Sequence, residues 1–383
     1  MTLKITGVKV HLLNRYLYVE VQTDAGISGI GESGAWGYLE PTAAAVEKFA
    51  RYLIGEDPLR IEHHWQYMYR SSHFRGTAVM GAISALDVAL WDIAGKHYGE
   101  PVHRLLGGPV RDRARCYHHV FGETREELLD GILKAKAEGY TAVGHLTPFL
   151  DESRQKRYHP KSYVAKITDA IQAVEQYRDA VGDDVDLCIE IHRRLTPAEA
   201  VTLGRGIEPF HPFFYEDPVT PDNFDEMAYV ASKIGIPIAT GERLTSLWEF
   251  QMLLSRNAVQ YVRPNAGLVG GISGMKKIAA LAEAHHVGVV PHNPLSPVST
   301  ATGLQLAGCI PNFALQEYPG KEHAPPKSLL VDAPVEHDGK GYLMIPTGPG
   351  IGINLRPDAG EAASKVSREV VTRLHYDGSV VDQ

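Results

Sequence analysis

The 383-residue chain has 44% hydrophobic and 22% charged residues, an ordinary balance for a globular protein and enough length for one large α/β domain with an appended piece. A formal net charge of −8, with no basic cluster, excludes a general nucleic-acid surface. The start lacks a signal peptide's apolar core, Asp87 breaks the most apolar stretch (AVMGAISALDVALW), and Cys116, Cys188 and Cys309 show no zinc spacing, so a reducing cytoplasm and no membrane partner are expected.

In chain order, LKITGVKVHLL and YLYVEVQTDAG alternate as strands, the second ending in a DAG turn. GIGESGAWGY is a glycine-rich loop with aromatics. Residues 79 to 93 predict a helix with Val79, Ile83, Leu86, Leu90 and Ile93 on one face. LLGG closes this part, and an α+β unit is expected over residues 1–112. From residue 113 short apolar runs (AVGHL, LCIEIH, FFYEDP, PIATGE, AVQYVRP, GVVPHN, FALQEY) alternate with helical stretches such as PAEAVTLGRGI. Alternating β and α units predict parallel strands, and this many predict a barrel over residues 113–334. The polar, loop-like residues 335–383 are expected to return to the N-terminal part.

The polar residues at the strand ends are evenly spaced. Glu190 to Glu216 and Glu216 to Glu242 are each 26 residues; Asn265 follows after 23, His292 after 27 and Glu317 after 25. That is about one βα unit each, so each unit delivers a polar side chain to one rim. Glu190, Glu216 and Glu242 end three successive strands, and carboxylates that close repel unless a cation lies between them. An all-oxygen site suits magnesium. The alternative is three glutamates paired with Arg193, Arg243 and Arg263. His192 shares a strand face with Glu190, and His292 ends a later strand; both are suited to proton transfer near neutral pH, although a strand histidine is often a satisfied core group.

SALDVALWDIAGKHYGEPVHRLLGG, EIHRRLTPAEA, YEDPV, ATGERL, GLVGGIS, PHNPLSP and LQEY together resemble the mandelate racemase-like branch of the enolase superfamily, over nearly the whole chain. Within it the likeness is to acid-sugar dehydratases of the galactonate and mannonate type. The resemblance implies a modified TIM barrel, (β/α)7β, under an α+β capping domain built from the N-terminal region and the C-terminal tail, with the loop from Gly31 to Tyr38 closing over substrate. It implies Mg2+ held by Glu190, Glu216 and Glu242. His192 would protonate the departing 3-hydroxyl, His292 would take the C2 proton, and Glu317 would lie near the substrate carboxylate or the enolate. Trp36, Tyr38, Arg75, Arg243 and Asn265 are candidates for substrate contact. The expected substrate is a small acid sugar and the expected assembly a homo-oligomer.

Two departures stand out. The Lys-x-Lys of many relatives is replaced by Gly144 and Leu146 in AVGHLTP, which argues against two-base racemases; His145 between them points away from the interior by strand parity. The aspartate that usually supports His292 is Asn265, so Tyr158 in DESRQKRYHP is a second candidate base, with Arg154 or Arg157 as its partner. Three activities follow: acid-sugar dehydration; epimerisation or lactone cycloisomerisation through the same enolate; or binding of metal and acid sugar with little catalysis.

Overall fold

The computed structural model describes residues 3–71, 73–150, 161–366 and 372–382. Three antiparallel strands, β1 (Ile5–Leu13), β2 (Tyr16–Thr23) and β3 (Ser28–Ser33), open the chain. Asn14, at φ 52°, and Arg15 make the two-residue turn that joins β1 to β2. Leu17, Val19 and Val21 alternate along β2 and pack in one cluster with Ile83, Leu86 and Leu90 of the helix Thr77–Tyr98. That helix is buried on almost every face. By length and composition it would suffice to cross a membrane despite Asp87, but 83% of its most apolar window lies inside the protein. Its Asp92 accepts from the backbone N–H groups of Ile30 and Ile351, each at 2.9 Å, and pairs with Lys96 at 2.7 Å. One buried carboxylate thus ties β3 and the chain beyond residue 350 to the same helix.

Eight parallel strands follow: β4 (Arg113–His119), β5 (Ala142–Leu146), β6 (Asp186–Glu190), β7 (Phe214–Glu216), β8 (Ile238–Thr240), β9 (Tyr261–Val262), β10 (Gly288–Val289) and β11 (Gln316–Tyr318). Each pairs with the next up to β10, and β11 pairs with β4. A parallel bridge between Val289 and Phe313 joins β10 to the approach of β11. A helix lies between each pair of consecutive strands, as a (β/α)7β barrel requires. Thr124 and Thr196 begin two of these helices with capping boxes to Glu127 and Glu199. Inside, Tyr117, Ala142, Cys188, Phe214, Ala239, Val290 and Leu315 form one apolar plug. The three cysteines are buried and unpaired with one another.

The tail divides. β12 (Tyr342–Met344) pairs antiparallel with β4. The chain then runs to the small domain, where Val102 N donates to Gly350 O at 2.9 Å and Asn14 N to Ala363 O at 3.2 Å. Its last described stretch folds as a hairpin, β13 (Arg373–Leu374) and β14 (Val380–Val381), and Asp382 beyond it pairs with Arg243.

Candidate active site

Glu190 ends β6, Glu216 ends β7, and Glu242 lies two residues beyond β8. Parallel pairing sets Glu190 opposite Glu216. All three belong to the C-terminal rim, as do His119 of β4, Glu317 of β11, and Arg263, Asn265 and His292 in the chain just past β9 and β10. A cavity of about 960 Å³ opens over this rim, and its lining includes Glu190, His192, Glu242, His292 and Glu317. Glu216 and Asn265 lie behind that lining, buried.

The glutamates are unequally compensated. Glu216 Oε1 is 2.5 Å from Arg263 Nε, yet neither atom has an aligned hydrogen-bond partner. Arg263 also donates to the Tyr117 hydroxyl at 2.7 Å and pairs with Glu317. Arg193 Nη1 is 2.5 Å from Glu242 Oε1 and 2.8 Å from Asp217 Oδ2. Arg193 and Arg263 therefore partner these glutamates, while Arg243 pairs instead with Asp382. Glu190 has no arginine within ion-pair distance among the described residues, and His192 Nε2 lies 4.0 Å from its Oε1. Burial, reinforced by the charge of Glu242, pushes the Glu190 carboxyl up to about 7. Burial also pushes Glu216 well up against the pull of Arg263, whereas His292 and Arg193 overcome burial and hold Glu242 well below the usual range.

This donor set fits a divalent cation. Glu190 and Glu216 are buried and paired opposite each other, part-buried Glu242 bears on Glu190 through its charge, one of the three has an orphaned oxygen and burial raises another. Among the described residues the donor atoms found within 4.8 Å of one another are those of His145, Glu190 and His192, a set that shares only Glu190 with the carboxylates.

His145 departs from the expectation of strand parity. It lines the cavity, its ring centre 5.3 Å from His119 and 4.9 Å from His192. The cause is local: His145 takes the left-handed conformation at φ 53°, and the β5–β6 register shifts between Val143 and Leu146. The extra twist turns His145 inward and Leu146 into the core between barrel and helices. His192 repeats the conformation at φ 54°, followed by Arg193 at 63°, and such strain in non-glycine residues collects where a site must aim a side chain. Burial pushes the His145 pKa well down, with the charges of His119 and His192 adding to it, so this ring is neutral.

Asn265 is fully buried; its Oδ1 accepts the Gly267 N–H at 2.8 Å and its Nδ2 is 3.0 Å from His292 Nδ1. His292 Nε2 lies 3.2 Å from Glu242 Oε2. Burial opposes charge on His292, but Glu317 and Glu242 outweigh it and raise the pKa. Glu317 is committed on both oxygens, to His119 Nε2 at 2.7 Å and to Asn293 N at 2.7 Å besides Arg263. Arg263 and His292 overcome burial and hold it well below the ordinary range, which makes it a fixed anion anchoring the rim.

Trp36 and Tyr38 are exposed and line the cavity, as does Arg243. The segment before them is not a free loop: Gly31 and Ser33 lie in β3, Gly34 N donates to Gly267 O at 2.8 Å, and a Cβ on Gly34 would meet Asn265 Oδ1 at 2.8 Å. Arg75 is turned away from the cavity, its guanidinium 4.0 Å from the Tyr69 ring centre. Tyr158, Arg154 and Arg157 lie outside the described residues. His119 escaped the sequence reading; its parity with Tyr117 in RCYHHV was the available signal.

Residues 5–107 match the family model of the mandelate racemase / muconate lactonizing enzyme N-terminal domain, and residues 132–359 that of the enolase C-terminal domain-like family. The D-galactonate dehydratase of Xanthomonas campestris pv. campestris (strain B100) is 35% identical over 380 residues, covering 97% of each chain. That of Verminephrobacter eiseniae (strain EF01-2) is 35% identical over 380 residues, covering 96% of each. Among solved structures, a mandelate racemase/muconate lactonizing enzyme-like protein from Roseovarius sp. TM1035 superposes with a TM-score of 0.89 at 32% identity, covering 99% of this chain and 100% of that one.

Proposed function

The chain belongs to the mandelate racemase / muconate lactonizing enzyme family, as an enzyme of the hydro-lyase kind, and on that premise we propose that it dehydrates an acid sugar. The proton at C2 of an aldonate leaves, the 3-hydroxyl departs as water, and the enol ketonises to a 2-keto-3-deoxy acid. The observation that carries this reading is the rim itself: Glu190, Glu242, His192 and His292 face one cavity, with Glu216 just behind. Galactonate is the first substrate to test, because it is named in the relatives.

We assign the cation as magnesium, with Glu190, Glu216 and Glu242 as its holders, since hard oxygen donors suit it. When bound, it supplies the charge that fixes the substrate carboxylate and offsets the negative charge gained as the C2 proton leaves. The chain's own residues do the rest. His192, partly open to the cavity and beside neutral His145, is assigned the proton transfers. His292 differs from the expected base. The Asn265 amide donates into Nδ1, which places the ring proton on Nε2, so His292 serves as a hydrogen-bond donor rather than as the base. Trp36, Tyr38 and Arg243 are assigned to substrate contact and to excluding water.

The same Asn265 contact favours, as a second reading, a protein that binds metal and acid sugar with slow turnover. The test is to incubate purified protein with magnesium and a panel of aldonates and to detect 2-keto-3-deoxy acid. Product formation that falls about 100-fold or more in His192→Asn supports the assignment. Binding without product supports the slower alternative, and a product of unchanged mass would point to epimerisation.

A further inference from the structure

Part of the cavity wall, supplied by the β1–β2 turn and the chain after β11, is basic. Arg15, in the turn between β1 and β2, donates through Nη2 to Pro294 O at 3.3 Å, and its guanidinium carbon is 5.5 Å from the Tyr16 ring centre. Lys327 follows β11, is only 9% exposed, and donates through Nζ to Gly320 O at 3.1 Å. Among the described residues neither has a carboxylate within ion-pair distance, nor does exposed Lys321 on the same wall.

A buried ammonium facing only a carbonyl is expensive unless something else neutralises it. The acids behind it are held by other donors, except for Glu322 Oε2, which has no hydrogen-bond partner but lies beyond ion-pair distance of Lys327. Glu32 accepts from the Ser296 hydroxyl at 2.6 Å and from Ser299 N at 3.1 Å, and Glu322 accepts from the Thr300 hydroxyl at 2.6 Å. Burial pushes both carboxyls up, Glu32 to about 7, which weakens them as counter-ions. Burial lowers the Lys327 pKa; Glu322 opposes that, and the charge of Arg15 adds to it, so the two cations sense each other. The small domain supplies one and the barrel the other. Pro294, which Arg15 touches, is two residues from His292. The cavity, at about 960 Å³, is also at the upper end of the range that holds drug-sized ligands, more than a six-carbon acid fills.

We propose that Arg15 and Lys327 form a subsite for a second anionic group, at the end of the substrate remote from the glutamates. The preferred acid sugar is then a dianion: an aldarate with a terminal carboxylate, or an aldonate with a terminal phosphate. A guanidinium fork and a buried ammonium suit either group, and such charge-assisted bonds discriminate strongly against a neutral terminal hydroxyl. This inference rests on the acid-sugar reading of the same cavity.

Matched substrates test it. With magnesium present, kcat/KM is measured for gluconate and galactonate, then for glucarate, galactarate and 6-phosphogluconate. A dianion should exceed its monoanion by about tenfold or more. Whether the carboxylate or the phosphate partner wins identifies the source of the second charge. Arg15→Gln and Lys327→Met should each cut that preference about tenfold, mainly through KM, while Arg15→Lys and Lys327→Arg retain part of it. Circular dichroism and Tm establish that each variant is folded. A wild-type ratio near one, or a ratio unchanged in folded variants, overturns the subsite and leaves the dehydratase reading intact. If no acid sugar turns over, the dehydratase reading fails separately, and calorimetric binding of glucarate against gluconate decides. A glucarate preference lost in Arg15→Gln upholds the subsite; equal binding overturns it.

Discussion

Asn265 Nδ2 lies 3.0 Å from His292 Nδ1 while Asn265 Oδ1 is already held by the Gly267 N–H, so the amide meets the imidazole with a donor. An aspartate there would accept from Nδ1 and leave Nε2 with a lone pair. The amide instead requires Nδ1 to accept, and the proton moves to Nε2, against Glu242. Protonating the ring fully would set two N–H groups against each other, opposing the neighbouring acids that favour the charged form. Asn265→Asp should therefore convert His292 to the Nδ1–H form, visible in the 15N shifts of the labelled imidazole. It should raise C2-proton exchange in D2O about tenfold or more. A wild-type His292 that already carries its proton on Nδ1 would remove the basis for this assignment.

The overlapping donor sets give opposite responses to substitution. Magnesium on the carboxylates predicts that Glu216→Gln weakens binding by about 100-fold, whereas His145→Asn changes it little, since imidazole is a poor ligand for that ion. Isothermal calorimetry with magnesium and with zinc reads both. A cation lost chiefly through His145→Asn would move the site to the His145, Glu190 and His192 set.

Gly144 stands where the resemblance leads to the expectation of a lysine, and the barrel interior leaves no room for a side chain there. A Cβ there would stand 2.3 Å from Tyr117 Cδ2 and 3.0 Å from Cys188 Cβ, in a plug with no slack. Tyr117 is fixed in turn by Arg263 through its hydroxyl. Gly144→Ala is expected to cost about 1–3 kcal/mol in chemical denaturation, with the denaturant slope unchanged. An alanine tolerated without loss would mean that the Tyr117 ring can shift.

Stability should also respond to pH through Asp87. Burial lifts its carboxyl to about 7 against the pull of Ser273, whose N–H donates to Oδ2 at 3.0 Å, while Oδ1 has no partner. The folded chain therefore holds a proton that the unfolded chain releases between about pH 4 and 7. Stability falls as pH rises through that window, by at most about 4 kcal/mol from this group. Glu32 contributes in the same direction. Tm recorded from pH 4.5 to 7.5 should decline less steeply in Asp87→Asn than in the wild type. An identical slope in the two proteins would show that Asp87 is not the titrating group.

Much of the site was legible because a βα barrel converts chain spacing into position. Glu190, Glu216, Glu242, His292 and Glu317 recur at about one βα unit, and parallel strands bring such residues to a common rim whatever the loops between them do. The pairing of the glutamates with nearby arginines was among the readings the sequence offered, but which arginine serves which glutamate was not. Arg193 and Arg263 reach inward while Arg243 turns to Asp382, a partner 139 residues away. His145 was misread because parity assumes an unbroken strand, and one left-handed residue reverses it. The tautomer of His292 depends on a backbone N–H two residues beyond Asn265, and Arg15 and Lys327 line one cavity only because segments distant in the chain come together there. Periodicity along the chain determines which residues share a rim; hydrogen-bond direction and contacts between distant segments exist only once the chain has folded, and those decided what the rim residues can do.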